Sequence, residues 1–227
     1  MTNKGLFFDI EGSDSSGKKT QTDKLLNRLI SEGCDTRKLS FPNYESTPGK
    51  SVIMYLEGEF GENPEEVDPY PASQLYAIDR WASYKKEWGV LYNNGTTFIS
   101  DRYCGSNAIH QAVKLQGEEK GKFLEWLYDL EYNKNKIPVP DCVIFLDMPP
   151  EISEELMKDR ANKFSGEEKK DIHERNPEFL RKSYENAVYV AEKYGWIRIR
   201  CFENGRLKTE EEIHEEVYNN IKPFLIK

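Results

Sequence analysis

Histidine and cysteine are scarce in this chain, three and four among 227 residues, and they do not cluster. Cys34, Cys104, Cys142 and Cys201 form no CxxC pair, so neither a disulfide framework nor a zinc site is expected. Reduced thiols fit a cytoplasmic protein. His110, His173 and His214 are too dispersed to suggest a metal cluster. Long apolar runs are also missing. The opening MTNKGLFF meets the acidic Asp9 and Glu11 too early for a signal segment or a membrane span. Nor is positive charge in excess: 32 Lys plus Arg face 40 Asp plus Glu, a net charge of −8. Without a basic stripe, broad nucleic-acid binding is not expected. An acidic chain that binds anions must concentrate its positive charge locally.

Low-complexity linkers and internal repeats are absent too, so residues 1–227 read as one domain. At this length about 70–75% of the unfolded surface can be buried. Strand-like runs occur at residues 6–10, 36–41, 96–100, 142–147 and 196–200. Phe98-Ile99 and Val143-Ile144-Phe145-Leu146 are apolar without alternation, as strands covered on both faces are. Helical patterns lie near 19–32, 71–86, 106–115, 122–132, 150–161, 178–194 and 209–224. This alternation predicts an α/β fold of three layers, αβα, around a five-stranded parallel sheet. Two segments stand apart. Residues 57–71 are acidic and rich in Gly and Pro, and read as a solvated loop. Residues 163–177, KFSGEEKKDIHERNP, are highly charged. They read as a wet surface or, between two helices of an anion-binding protein, as a lid over about 161–177.

The most informative stretch is GLFFDIEGSDSSGKKT at 5–20. A run that is apolar apart from Asp9 and Glu11 meets Gly12-Ser13-Asp14-Ser15-Ser16-Gly17-Lys18, and a helix follows. Strand, small-residue loop and helix N-terminus in this order form the phosphate-binding P-loop. The glycines allow successive N–H groups to turn toward one anion, the helix end adds unpaired donors, and Lys18 adds a full charge. A Ser or Thr usually follows the lysine and reaches Mg²⁺. Here Lys19 stands there. Thr20 lies a further ~100° around the helix.

Ligands of open parallel sheets bind beyond the carboxyl ends of the strands. The second strand ends in Phe41-Pro42 and the third in Asp101-Arg102-Tyr103. The helix after residue 71 carries Tyr76, Asp79 and Arg80. Arg80 and Arg102 suit forked bonds to phosphate, and Phe41 and Tyr76 suit stacking on a base. The plainer alternative makes Arg80 an ion-pair partner of Asp79 and Tyr76 a core residue. Beside a phosphate loop, these residues together favour a second nucleotide site.

In these motifs the chain resembles the thymidylate kinase family along almost its whole length. The matching segments are EGSDSSGKKTQ, LSFPNY, LYAIDRW, FISDRYCGSNAIHQA and DIHERNPEFLRKSYENA. The resemblance implies γ-phosphoryl transfer from ATP to dTMP with Mg²⁺, on a P-loop fold that usually dimerises. It implies that Gly12, Ser13, Asp14, Ser15, Ser16, Gly17, Lys18, Lys19 and Thr20 hold the ATP phosphates. Asp14 would also meet the sugar 3′-hydroxyl or the metal. Phe41 and Pro42 would wall the thymine methyl and Tyr76 would stack on the ring. Arg80 would reach thymine or its phosphate, and Arg102 would clamp the acceptor phosphate. Asp101 would organise metal or water, and Ser106-Asn107 would meet the thymine edge. Asp171 would lie near the acceptor and Glu174 near the metal.

Three departures stand out. Lys19 removes the usual hydroxyl. Ser15 stands where family members carry a basic residue or glycine, so a lid cation is needed, with Arg160, Lys163, Lys169, Lys170 and Arg175 as candidates. Arg160 is taken as the catalytic one. His110 replaces an aromatic residue that crowds a ribose 2′-hydroxyl. Two alternatives therefore stay open: a kinase for another nucleoside monophosphate or deoxynucleoside, and a nucleotide-binding protein that has lost catalysis.

Overall fold

The structure, a computed structural model, describes residues 4–163 and 171–225, with only the backbone of 157–163 described. The first strand, β1 (Phe7–Gly12), is buried along its whole length. Alternation along a strand sends successive side chains to opposite faces. Phe8 and Ile10 accordingly join Leu25, Leu29, Val217 and Ile221 in one core, beneath helices α1 (Lys18–Ser31) and α9 (Glu210–Leu225). Phe7 joins Trp88, Phe98, Tyr103 and Phe123 in a second core on the other face. The two cores make the three layers.

β2 (Thr36–Ser40), β3 (Thr97–Asp101), β4 (Cys142–Asp147) and β5 (Ile197–Arg200) complete the sheet in the order β2-β3-β1-β4-β5, all parallel. Register brings the functional ends together. Ile10 and Ser40 both lie opposite Asp101, and Gly12 lies opposite Leu146. The loop after Gly12, the Asp101-Arg102 turn and Phe41 therefore share one rim of the sheet.

The helices depart from the sequence reading in explicable ways. A helix α2 (Thr47–Glu57) lies where no element was expected. Its start was written in Ser46, whose Oγ accepts from Gly49 N at 2.8 Å, and in Pro48 of the first turn. α3 (Pro69–Ser83) begins two residues before the expected boundary, capped by Asp68 onto Tyr70 N. The segment read as a solvated loop thus contains the end of α2, a tight turn at Pro64–Glu66 and the start of α3. A wide π turn, Tyr84–Trp88, leads on to α4 (Gly89–Asn93). α5 (Cys104–His110) is shorter than expected and yields to a 3₁₀ turn at Ala112–Lys114. α6 (Gly117–Tyr128) gives way to a second π turn, Asp129–Lys134. α7 (Pro150–Lys163) and α8 (Pro177–Tyr194) flank the charged segment. A two-stranded hairpin, β6 (Phe202–Glu203) and β7 (Arg206–Leu207), was also unforeseen. Its Asn204-Gly205 turn is the ordinary signature of a tight hairpin.

Candidate active site

The phosphate loop is held from both sides. Gly12 runs so close to β4 that a Cβ there would sit 3.0 Å from Leu146 O and 2.5 Å from Ser16 Oγ. Gly17 opens α1 in the left-handed region (φ 87°), where a side chain is strained. Lys18 Nζ folds back across the loop to donate to Ser13 O at 2.6 Å. Ser153 of α7 donates its hydroxyl to Asp14 O. Burial first, then the Arg102 charge, pulls the Lys18 amine down to about 8, although nearby carboxylates oppose the shift. An arriving polyphosphate would reverse that pull, so the loop holds a cation in need of anions.

Arg102 sits just beyond β3 in the left-handed region (φ 68°), unusual for a residue with a side chain. Its guanidinium pairs with Asp14 and reaches Ser106 Oγ at 3.4 Å. Ser106 Oγ in turn donates to Glu11 Oε2 at 2.7 Å, and Tyr103 N donates to Glu11 Oε1 at 2.9 Å. A strained residue fixed by its surroundings marks a functional constraint. Burial alone would raise the Asp14 carboxyl, but the Arg102 and Lys18 charges override it and hold Asp14 far below the usual range.

Two clefts meet at this pair. The first, with about 1460 Å³ of empty space, is lined by the loop residues Asp14 to Thr20, by Asp101, Arg102 and Glu174, and by Leu207 and Lys208 of the hairpin region. The second, about 560 Å³, is lined by Phe41, Pro42, Tyr76, Arg80, Ser106, Asn107, His110 and Asp171, again with Asp14 and Arg102. Its back wall is a ring stack. His110 lies parallel to His173 (5.7 Å, 9°), and His173 lies nearly parallel to Phe179 (4.9 Å, 20°). Tyr55 Oη stands 3.1 Å from His173 Nε2 and accepts from Lys114 Nζ at 3.2 Å. Burial, then Arg102, lowers His110 to about 4, and burial with the His110 charge lowers His173 as well. Both rings are neutral near pH 7. The second cleft therefore combines a flat, neutral aromatic end with a cation at its mouth.

Comparison with known proteins shows the family. A family model described as thymidylate kinase matches residues 10–217. The chain belongs to the thymidylate kinase family. A Mycobacterium tuberculosis thymidylate kinase is 31% identical over 186 residues, 82% of this chain and 84% of that protein. One from Plasmodium falciparum is 27% identical over 224 residues, 99% of this chain and 93% of that protein. The solved structure of a Candida albicans thymidylate kinase aligns with a TM-score of 0.68 at 21% identity. It covers 97% of this chain and 92% of that one, and supports the fold.

Most residues singled out by resemblance to the family gather at the two clefts. Gly12 and Ser13 are the exceptions within the loop. Gly12 packs against β4, and Ser13 opens onto a smaller hollow beside α7 and α8. Arg80 needs a correction. It does not pair with Asp79, whose carboxylate accepts from Asn43 N at 2.8 Å and Ser46 Oγ at 2.7 Å. Arg80 is 1% exposed and donates from two nitrogens to the same oxygen, Glu131 Oε1, with a further bond to Tyr103 O at 3.3 Å. It lines the second cleft with its guanidinium already committed. Of the lid cations, the side chains of Arg160, Lys163, Lys169 and Lys170 lie outside the described residues. Arg175 lines a different hollow, beside Glu57 and Glu62. The acidic segment thereby gains a place: Ile172 N donates to Leu56 O at 3.0 Å, docking residues 171–176 against the end of α2.

Sequence reasoning missed Tyr44, Gln111 and His173 in the second cleft and Leu207 and Lys208 in the first. His173 carried no signal of its own. Leu207 was signalled only by the hairpin turn before it. For Mg²⁺, no ready-made cluster of three ligands occurs among the described residues. Asp101, Glu174 and Thr20 line the loop-side cleft as oxygen donors, and Ser16 Oγ is buried there with no hydrogen-bond partner among the described residues. Mg²⁺ is commonly held by one or two carboxylates plus substrate phosphates, and this donor set fits that pattern.

Proposed function

We propose that the two clefts are the donor and acceptor halves of one phosphoryl-transfer site, meeting at Arg102. The enzyme transfers the γ-phosphoryl group of ATP to dTMP, giving dTDP and ADP. The observation carrying this assignment of halves is the Asp14–Arg102 pair on the wall common to both clefts. In our reading, residues 12–20 hold the ATP phosphates and Lys18 bridges the β and γ groups. Phe41, Pro42 and Tyr76 enclose the thymine, with Ser106 and Asn107 at its edge. Arg80 shapes that wall through its pair with Glu131. Asp171 and His110 line the sugar side. Arg160 is the lid cation.

Phosphoryl transfer needs alignment, charge neutralisation and exclusion of water more than covalent chemistry. The acceptor phosphate is itself the anionic nucleophile, so no general base is required. Asp14 neutralises Arg102. An acceptor phosphate would compete for that guanidinium, leaving Asp14 for the sugar hydroxyl or the metal. Mg²⁺, arriving with ATP, would be held by Asp101, Glu174 and Asp14, and would neutralise charge on the transferring group. Lys18 from the loop and Arg102 from the shared wall would meet the two phosphates and draw like-charged groups together. We read residues 1–227 as one catalytic unit working in the cytoplasm. No helix among the described residues is long and apolar enough to cross a membrane. We also propose a homodimer through α3, where Ile78 and Trp81 are 53% and 43% exposed. Light scattering on the purified enzyme tests that.

The function is tested by coupled ADP release with dTMP, dUMP, dGMP and UMP, each with and without Mg²⁺. The expected result is Mg²⁺-dependent turnover with dTMP as the preferred acceptor. ADP release no faster with dTMP than with ATP alone would overturn the reading.

A further inference from the structure

At the opposite end of the sheet from the phosphate loop, a cleft with about 890 Å³ of empty space opens beside the starts of β4 and β5. It shares no lining residue with either half of the transfer site. Its walls include the rings of Tyr128, Tyr132, Tyr194 and Trp196, and Asp9 of β1 also lines it. The rings support one another. Tyr128 and Tyr132 lie parallel at 5.5 Å, and Tyr194 meets Tyr128 edge-on at 4.5 Å.

Asp9 is out of keeping with this setting. It is 1% exposed, and its Oδ1 has no hydrogen-bond partner among the described residues. Burial, and next the Glu11 carboxylate, raises Asp9 well above the ordinary carboxylate value. The guanidinium offering the larger relief, that of Arg80, is committed to Glu131. Among the described residues no basic side chain lines the cleft, and its other carboxylate, Asp141, already accepts from Phe7 N at 2.8 Å. A buried acceptor without a donor is costly, and tyrosine and tryptophan faces attract cations. Asp9, with one oxygen unmatched, thus stands among the aromatic residues that line the cleft.

We propose that this cleft binds a small organic ammonium or amidinium cation, with its charged group against Asp9 and its apolar body among the four rings. The fit is chemical on both counts. The ligand's N–H groups supply the missing donors, and its charge is compensated by the carboxylate and the ring faces together.

The test is calorimetric titration of the full enzyme with benzamidine, in the presence and absence of saturating dTMP. Saturable binding that persists with dTMP present is expected. Asp9→Asn should weaken it on the order of tenfold or more. Tyr194→Ala should weaken it too, through loss of one wall. Asp9→Asn keeps the shape of the side chain, so it is expected to fold, and Tyr194→Ala gives an independent reading. Absence of saturable heat with the wild type, or unchanged affinity in both variants, would overturn the proposal. So would displacement of benzamidine by dTMP, which would put the cation in the acceptor cleft instead.

Discussion

Replacing Arg102 by alanine isolates the acceptor half of the site. Alanine is the better choice than glycine because Arg102 holds a left-handed φ of 68°, and glycine would relieve that strain as well as remove the charge. The lost guanidinium can place two N–H groups on a phosphate. Each charge-assisted hydrogen bond is worth about 1.5–3 kcal/mol, so the pair contributes about 3–6 kcal/mol. Expressed in kcat/KM for dTMP, the loss is on the order of 10²- to 10⁴-fold. ATP should be affected much less, for a reason visible in the structure. Arg102 is, after burial, the main influence lowering the Lys18 amine. Removing it lifts that amine and strengthens the remaining loop cation. The KM for ATP is expected to stay within about threefold, because the loop amides and Lys18 remain. Arg102→Lys should recover only part of the loss, since an ammonium cannot fork. Steady-state kinetics with each substrate varied in turn reads all of this. A kcat/KM for dTMP within tenfold of wild type, or an equal collapse in ATP use, would refute the reasoning.

Three further outcomes follow from the same geometry. Lys18→Ala should lower kcat by about 10³-fold or more while leaving the urea-unfolding midpoint nearly unchanged, because its main intramolecular bond is to a loop carbonyl; near-normal turnover would contradict the loop assignment. The Lys18 amine, lowered by burial to about 8, is charged below that pH and neutral above it. A phosphate site needs the charged form, so kcat/KM for ATP should fall about tenfold per pH unit above 8; a flat profile to pH 9.5 would exclude it, and in Arg102→Ala the fall should begin at higher pH. Glu131→Gln leaves the Arg80 guanidinium buried without its counter-charge, and should cost about 3–5 kcal/mol of stability by urea unfolding; a change under about 1 kcal/mol would show that Arg80 is satisfied by other partners.

The sequence disclosed the parts of this site that are built locally. GSDSSGK needs only its own glycines, one lysine and the following helix, so its cradle was readable from a short stretch. The apolar strands 98–99 and 143–146 likewise declared a sheet covered on both faces. The partner of Arg80 did not declare itself. Glu131 lies in a π turn whose wide winding breaks the helical period used to read that segment. The ring stack behind the second cleft was equally opaque, since His110, His173 and Phe179 come from segments with no common pattern. Helix α2 and the β6–β7 hairpin belong to a different class. Ser46-Thr47-Pro48 and Asn204-Gly205 are ordinary start and turn signals, local enough to be legible from the residues alone. Local chemistry was legible, and pairings made by tertiary packing were not.

The central claim is that two phosphate-bearing substrates meet across the Asp14–Arg102 pair. A crystal structure with a compound joining adenosine and thymidine through five phosphates tests it most directly. The account predicts thymine between Phe41 and Tyr76, the phosphate chain passing Arg102 onto the amides of residues 13–18, and Arg102 drawn from Asp14 onto phosphate. A thymidine end outside the Phe41–Tyr76 cleft, or a phosphate chain that leaves the Asp14–Arg102 pair intact, would contradict it.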